Sequence, residues 1–134
     1  MGQTLLSQNE ATVGNYRAAR QAQEAVVRLK ADAVTVEDLS TLASLMITSS
    51  GGVVTPEAEQ VLIRTLSLDP RDGWARFYSG LMFAQIGRPD RAFALWEPLL
   101  REGPETALYV APIRALIQDL ADAAGIKYMA PEVK

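Results

Sequence analysis

The chain has 134 residues and a net charge of −3, and its apolar fraction of 49% and charged fraction of 22% are ordinary for a globular domain. A slightly acidic chain of this kind is not expected to bind nucleic acid, because binding to a phosphate backbone requires a clustered basic face on the protein. Cysteine and histidine are both absent, which excludes disulfides, a Ser-His-Asp triad, the usual Cys/His zinc site and the usual proximal haem ligand. No apolar run approaches the length of about 20 residues that a membrane span needs. We therefore expect neither an enzyme nor a cofactor.

Taken in chain order, the sequence predicts only helices, separated by turns that contain glycine or proline. Apolar residues recur at helical spacing, and Thr35 and Thr55 stand where N-caps belong, the second directly before Pro56. Gly125 is expected to end the last helix, and the tail 126–134 has no clear period and is expected to fray. The predicted helices span residues 15–30, 37–49, 56–68, 73–86, 89–100 and 107–124.

The helical pattern repeats with a period of 34 residues, which is the period of tetratricopeptide repeats. When residues 39–70 are placed over residues 73–104, the turns and the small residues coincide. Gly80 is then expected to let two helices approach, and Gly87 to form the turn between them. The coinciding pairs are Met46 and Gly80, Ala58 and Ala92, Leu62 and Trp96, Leu66 and Leu100, and Pro70 and Pro104.

These repeats predict an all-α fold, a right-handed tetratricopeptide-repeat solenoid of about three helical hairpins closed by a C-terminal capping helix. A copy at the front of the chain fits when Gly14 is aligned with the turn glycine Gly87. The whole chain, 1–134, is expected to form a single domain. Its predicted parts are repeats 1–34, 35–70 and 71–104, a capping helix at 105–125 and the tail 126–134.

The glycine pair in the stretch SSGGVVTPEAEQ, residues 49–60, admits two interpretations, a phosphate-binding loop or a turn between helices. A phosphate loop normally follows a buried strand and has a basic residue nearby. Here a predicted helix precedes the glycines, and Glu57 and Glu59 would repel an anion. The stretch also occupies the place that Gln85–Arg88 takes one repeat later, so we interpret it as a turn.

Several short motifs resemble the periplasmic tetratricopeptide region of the CcmI/CycH family, which serves bacterial cytochrome c maturation. The motifs are GGVVTPEA at 51–58, LSLDP at 66–70, ARFYSGL at 75–81 and the tryptophan at position 96. The resemblance covers roughly residues 1–124 and is most specific over 50–100. Two features depart from the family pattern: the membrane segments of its members are missing, and Ser79 stands where leucine is usual.

The resemblance implies a chaperone that binds the C-terminal helical segment of apocytochrome c and works with other cytochrome c maturation subunits. It also implies a location at the periplasmic face of the bacterial inner membrane. Catalytic, cofactor and metal residues are not implied.

A partner is expected on the concave surface, which the first helix of each repeat lines in such solenoids. Four apolar residues of the third repeat fall at i, i+3, i+4 and i+7, which forms one continuous stripe suited to an amphipathic helix. Three residues of the second repeat are expected to shape the groove beside that stripe. The predicted partner-binding residues are Trp74, Phe77, Tyr78 and Leu81, with Ser40, Ala43 and Ile47.

Alternatives to this groove are open at the level of sequence. Trp74 and Phe77 could instead belong to the core between repeats, because burying either ring would stabilise the fold by roughly 2–3 kcal/mol. Trp96 is expected to be core. The aromatic stripe could also be a self-interface that makes the chain a homo-oligomer, or the site of a generic scaffold with an unrelated protein partner.

Overall fold

The computed structural model describes the backbone of residues 5–129 and the side chains of residues 15–129. This part of the chain contains six α-helices and no strand, so the all-α prediction is confirmed. It divides into two compact units, with the boundary between Pro70 and Arg71. The helices are α1 (Leu5–Lys30), α2 (Val36–Ser49), α3 (Pro56–Leu68), α4 (Gly73–Gln85), α5 (Pro89–Glu102) and α6 (Val110–Ala124). The prediction that the whole chain is one domain stays a prediction.

In the first unit, α2 packs against both α1 and α3. A capping box starts α2: the Thr35 hydroxyl accepts the Asp38 N–H at 3.1 Å, and the Asp38 carboxylate accepts the Thr35 N–H at 3.0 Å. Lys30 at the end of α1 donates to the same carboxylate at 2.9 Å. The start of α2 is therefore fixed both by its own cap and by a charge from α1.

The glycine pair forms the turn between α2 and α3, as predicted. Gly51 and Gly52 have φ of 70° and 90°, a region that costs residues with a Cβ but not glycine. The Gly52 N–H donates to the Ile47 carbonyl at 2.9 Å, which closes the end of α2. Thr55 then caps α3 by accepting the Ala58 N–H at 3.2 Å, and Pro56 occupies the first helical position.

In the second unit, α5 packs against both α4 and α6. Gly80 of α4 lies against the indole of Trp96, where a Cβ on the glycine would overlap the ring nitrogen. The indole N–H donates to the Phe77 carbonyl of α4 at 3.0 Å, so a fully buried tryptophan is satisfied by the facing helix. Gly80 therefore permits the close approach expected of it, and Trp96 is core as predicted.

The hairpins α2–α3 and α4–α5 share one burial pattern at the predicted offset. Each of the first three aligned pairs is buried in both hairpins, and the pair Leu66 and Leu100 is half-buried in both. Packing thus supports the tetratricopeptide-like register of these two hairpins. The buried pairs are Met46 and Gly80, Ala58 and Ala92, and Leu62 and Trp96.

The front of the chain differs from the expectation. Gly14, aligned with the turn glycine Gly87, lies inside α1, which runs unbroken from Leu5 to Lys30. A first hairpin with a turn at Gly14 is therefore wrong. One glycine costs a helix only about 1 kcal/mol relative to alanine, which is too little by itself to end a long helix. Residues 1–4 of the predicted first repeat lie outside the described residues.

The last helix begins at Val110, three residues later than predicted, because residues 107–109 form a turn that places Tyr109 in the core. It ends in a Schellman motif at Gly125, where the Gly125 N–H donates to the Asp122 carbonyl at 3.2 Å. The Ile126 N–H donates to the Ala121 carbonyl at 2.8 Å and completes the motif.

Part of the tail is packed instead of frayed. The ring of Tyr128 meets that of Phe93 edge-on, with centroids 5.3 Å apart, at the border of the α4–α6 core. This burial raises the pKa of the Tyr128 phenol. Residues 130–134 of the predicted tail lie outside the described residues.

Candidate partner-binding site

The predicted aromatic stripe of the third repeat lies on α4, near the start of the second unit. Asp72 sets the start of this helix, because its carboxylate accepts the Ala75 N–H at 2.9 Å. The four stripe residues follow within two helical turns, so their side chains share one side of α4. They differ strongly in exposure, which decides what each of them can contact.

Phe77 is a core residue. Its side chain is 9% exposed, and its ring stacks on Trp96 with centroids 5.5 Å apart and on Tyr109 at 6.1 Å. It belongs to the cluster that holds α4, α5 and α6 together. A partner could reach this ring only if the cluster opened. Of the two interpretations left open by the sequence, core placement is the one the structure supports for Phe77.

Trp74 remains accessible, with 36% of its surface exposed. Its ring meets Phe77 and Tyr109 edge-on, at centroid distances of 5.9 Å and 5.2 Å. Tyr78 lies on a further side at 5.7 Å. Tryptophan and tyrosine side chains are enriched among binding hot spots, which makes this exposed ring the candidate contact of the stripe.

Tyr78 and Leu81 are half-buried and pack against the outer edge of the core cluster. Together with Trp74 they form what we call the α4 aromatic face: Trp74, Tyr78 and Leu81. Arg76 is the only ionisable residue of α4 besides Tyr78, and its guanidinium donates to the Glu102 carboxylate at 2.7 Å. The face is therefore apolar apart from the Tyr78 hydroxyl, and contact there would be made mainly by apolar burial.

The three groove residues predicted in the second repeat lie on α2 in the first unit. Ala43 is fully buried and Ile47 is 4% exposed, so neither offers appreciable surface to a partner. Ser40 is half-buried. Their side of α2 is thus mostly covered, and of these residues only Ser40 keeps exposed surface for the predicted role.

A charged cluster fixes the other side of α4. Arg71 and Arg76 both donate to the carboxylate of Glu102, at 2.9 Å and 2.7 Å. Hydrogen bonds from Arg76, reinforced by Arg71, lower the pKa of the Glu102 carboxyl. The cluster joins α4 to the last turn of α5, where an isolated acid would be disfavoured by the helix dipole.

Sequence reasoning missed Tyr109. The helix that it precedes was predicted to begin at residue 107, which would have placed this tyrosine inside a regular turn of helix. The available signal was an aromatic residue between the Gly103-Pro104 turn and Pro112. That spacing leaves room for a short connection before the helix starts.

Other kinds of site find little support among the residues that the structure describes. Within 5–129, no group of three or more acidic residues is placed to hold a metal ion. None of the described helices is long and apolar enough to cross a membrane.

The fold and the site define an all-helical protein of tetratricopeptide-like hairpins that carries an exposed aromatic face. The chain is similar to two curated proteins named cytochrome c-type biogenesis protein CycH. That of Rhizobium meliloti is 33% identical over 81 residues, and that of Bradyrhizobium diazoefficiens is 37% identical over 82 residues. These matches confirm the resemblance to the CcmI/CycH family.

The matched segments cover 60% and 61% of this chain but 21% of each relative. The chain thus spans about a fifth of the length of the curated relatives it matches. No family model matches the sequence, and no solved structure matches the fold.

Proposed function

We propose that this chain is a non-catalytic protein-binding module of cytochrome c biogenesis, and that it binds the C-terminal helical segment of apocytochrome c. The similarity to the two CycH proteins supports a role in cytochrome c biogenesis. The observation that supports binding is the exposed ring of Trp74 within the α4 aromatic face. On this proposal the module works with other maturation subunits at the periplasmic face of the bacterial inner membrane.

The chemistry of the face favours an amphipathic helix as the ligand. Trp74, Tyr78 and Leu81 fall at i, i+4 and i+7 on α4, a row that an apolar helix face can lie along. A ligand side chain would bury against the Trp74 ring, whose other contacts are already made by the protein. Binding would then bury apolar surface, for which a negative change in heat capacity is the marker.

The test is calorimetric titration of the chain with a synthetic peptide of the C-terminal helix of a c-type apocytochrome from the same organism. A scrambled peptide of equal composition is the control. We expect micromolar or tighter binding with a negative heat-capacity change. Absence of binding at about 100 μM would contradict the proposal and leave self-association, measured by sedimentation over a range of concentrations, as the next function to examine.

The Trp74→Ala variant tests the residue. We expect binding to weaken by about 2 kcal/mol, roughly 30-fold, because the variant removes the largest exposed ring of the face. Leu116→Ala is the matched control, since Leu116 is 45% exposed but lies on α6, and it should leave affinity unchanged. Near-UV circular dichroism must show native packing in both variants. Loss of native packing in Trp74→Ala would show that Trp74 serves mainly as a core residue.

A further inference from the structure

Tyr109 joins the α5–α6 connection to the α4 aromatic face. It lies just before α6, is 7% exposed, and belongs to the same core cluster as Phe77 and Trp96. Its ring meets Trp74 edge-on at 5.2 Å and stacks on Phe77 at 6.1 Å. One buried ring therefore contacts both the core and the exposed tryptophan.

Tyr109 also packs closely against the backbone of Gly73 at the start of α4. A Cβ built on Gly73 would lie 2.5 Å from the Tyr109 hydroxyl oxygen and 2.9 Å from Cζ, closer than real Cβ atoms come to any atom. Gly73 is the first residue of α4 and directly precedes Trp74. The absence of a side chain at position 73 is what lets the phenol lie beside the tryptophan.

We infer that Tyr109 is a positioning residue, which holds the Trp74 ring in its binding orientation without touching the partner itself. The Trp74 ring contacts those of Tyr109 at 5.2 Å, Tyr78 at 5.7 Å and Phe77 at 5.9 Å, while 36% of the residue stays exposed. Among these three rings, that of Tyr109 has the nearest centroid. A ring that is already fixed loses less rotational freedom when a partner binds. The inference about orientation stands on the contacts, and its effect on affinity rests on the proposed function.

If Tyr109 only stabilised the core, its removal would lower stability without changing the mobility of the Trp74 ring. The different exposure of the two tryptophans makes these outcomes distinguishable by fluorescence. Trp96 is fully buried, whereas Trp74 is 36% exposed. Acrylamide in solution therefore quenches the fluorescence of Trp74 selectively. Quenching and fluorescence anisotropy report on the accessibility and mobility of the Trp74 ring, while thermal unfolding reports on the core.

The experiment compares Tyr109→Leu and Tyr109→Phe with the wild-type chain. Tyr109→Leu removes the ring, so we expect the quenching constant of Trp74 to rise, its anisotropy to fall and affinity for the apocytochrome peptide to drop about two- to tenfold. Tyr109→Phe keeps the ring, so the quenching constant, the anisotropy and the affinity should stay at their wild-type values. The matched control is Ile113→Val, a core change in the same cluster that should lower the melting temperature without altering Trp74 quenching.

Gly73→Ala tests the same contact from the other side. Alanine is the better helix former, and at an unhindered site it would raise stability. Here its Cβ must displace Tyr109, so we expect Trp74 quenching to rise as in Tyr109→Leu. This variant also decides the matter if Tyr109→Leu fails to fold.

The inference is overturned if Trp74 quenching in Tyr109→Leu changes no more than in Ile113→Val, or if Gly73→Ala is stabilising with quenching unchanged. A wild-type chain that does not bind the peptide would refute the proposed function alone. The quenching series would still decide whether Tyr109 holds Trp74 in place.

Discussion

The hairpins α2–α3 and α4–α5 fill the same buried positions with different residues. Both bury an alanine on the second helix at the same register, Ala58 in one and Ala92 in the other. Four residues further on, the first hairpin has Leu62 and the second has Trp96. At the aligned position on the first helix, Met46 of α2 corresponds to Gly80 of α4. In the second hairpin the large residue of this pair stands on α5 and faces a glycine, whereas in the first hairpin both helices supply a residue of middle size.

The two first helices also differ along the stripe that carries Trp74 in α4. At positions aligned with Trp74, Phe77 and Leu81 of α4, helix α2 carries Ser40, Ala43 and Ile47. Helix α2 contains no aromatic residue, whereas α4 exposes the ring of Trp74. The comparison shows that one scaffold can expose an aromatic ring in one copy only, because surface character depends on the side chains placed on the fold.

The largest effect is expected when the core residues of the second hairpin are replaced by those of the first. Gly80→Met alone should destabilise the chain by about 3 kcal/mol or more, since the new side chain must displace the buried indole of Trp96. The gain in helix propensity, about 1 kcal/mol, is too small to offset that overlap. Chemical denaturation followed by circular dichroism measures the change.

The double variant Gly80→Met with Trp96→Leu reproduces the Met46 and Leu62 pair of the first hairpin. We expect it to be more stable than the sum of the single changes by at least about 1 kcal/mol, because the smaller leucine makes room for part of the new methionine side chain. Ala94→Met, at an exposed site of α5, is the control for adding a methionine and should cost little. Additive effects in the cycle would show that the two positions are not packed against each other.

A second comparison concerns the connections. Gly87 leads from α4 to α5 at φ of 80°, whereas Ala31 follows α1 at φ of 48° although it carries a Cβ. The left-handed region costs such a residue roughly 1–2 kcal/mol. Ala31→Gly should therefore stabilise the chain by about 1 kcal/mol, and Gly87→Ala should destabilise it by a similar amount.

The space around Gly87 makes this pair of variants a clean measurement. No atom lies within 4 Å of a Cβ built there, so the effect of Gly87→Ala is confined to the backbone. Thermal and chemical unfolding of both variants should shift in opposite directions. Shifts of the same sign would mean that the difference in backbone conformation does not control stability at these turns.

Local signals predicted the scaffold well. The threonine caps, Pro56 and the glycine turns fixed five of the helix starts or ends closely, because each acts through bonds to its own neighbours. Gly14 misled the alignment, since glycine permits a turn without requiring one. Ala31 gave no signal at all, because the sequence carries no glycine where the chain turns.

The α4 aromatic face was harder to predict, because tertiary contacts decide which of its rings are exposed. Trp74 and Phe77 fall on the same stripe of α4, and periodicity cannot tell which ring is covered. The burial of each ring depends on its contact with Tyr109, which lies in a connection more than thirty residues later in the chain. A stripe wider than the neighbouring helix can cover leaves some rings exposed, and only the packing partner decides which.

The smallest expected effect compares the charged contacts of the two units at low pH. Hydrogen bonds from Lys30, and from the Thr35 backbone, lower the pKa of Asp38 from 3.8 to about 2. Because the folded pKa lies below the unfolded value, the contact contributes its full stability above about pH 4 and loses it as the pH falls towards 2. The pKa of Glu102 in the second unit is lowered in the same sense by Arg76 and Arg71.

Lys30→Gln should therefore flatten the dependence of unfolding free energy on pH between about 4 and 2, while leaving the Glu102 contribution in place. Arg71→Gln should act on Glu102 and spare Asp38. Carboxyl pKa values from NMR titration and denaturation midpoints at each pH separate the two. The side chains of Lys30 and Arg71 are 45% and 78% exposed, so high salt should weaken both effects. An Asp38 pKa unchanged in Lys30→Gln would mean that the capping hydrogen bonds, and not the lysine, hold the carboxylate ionised.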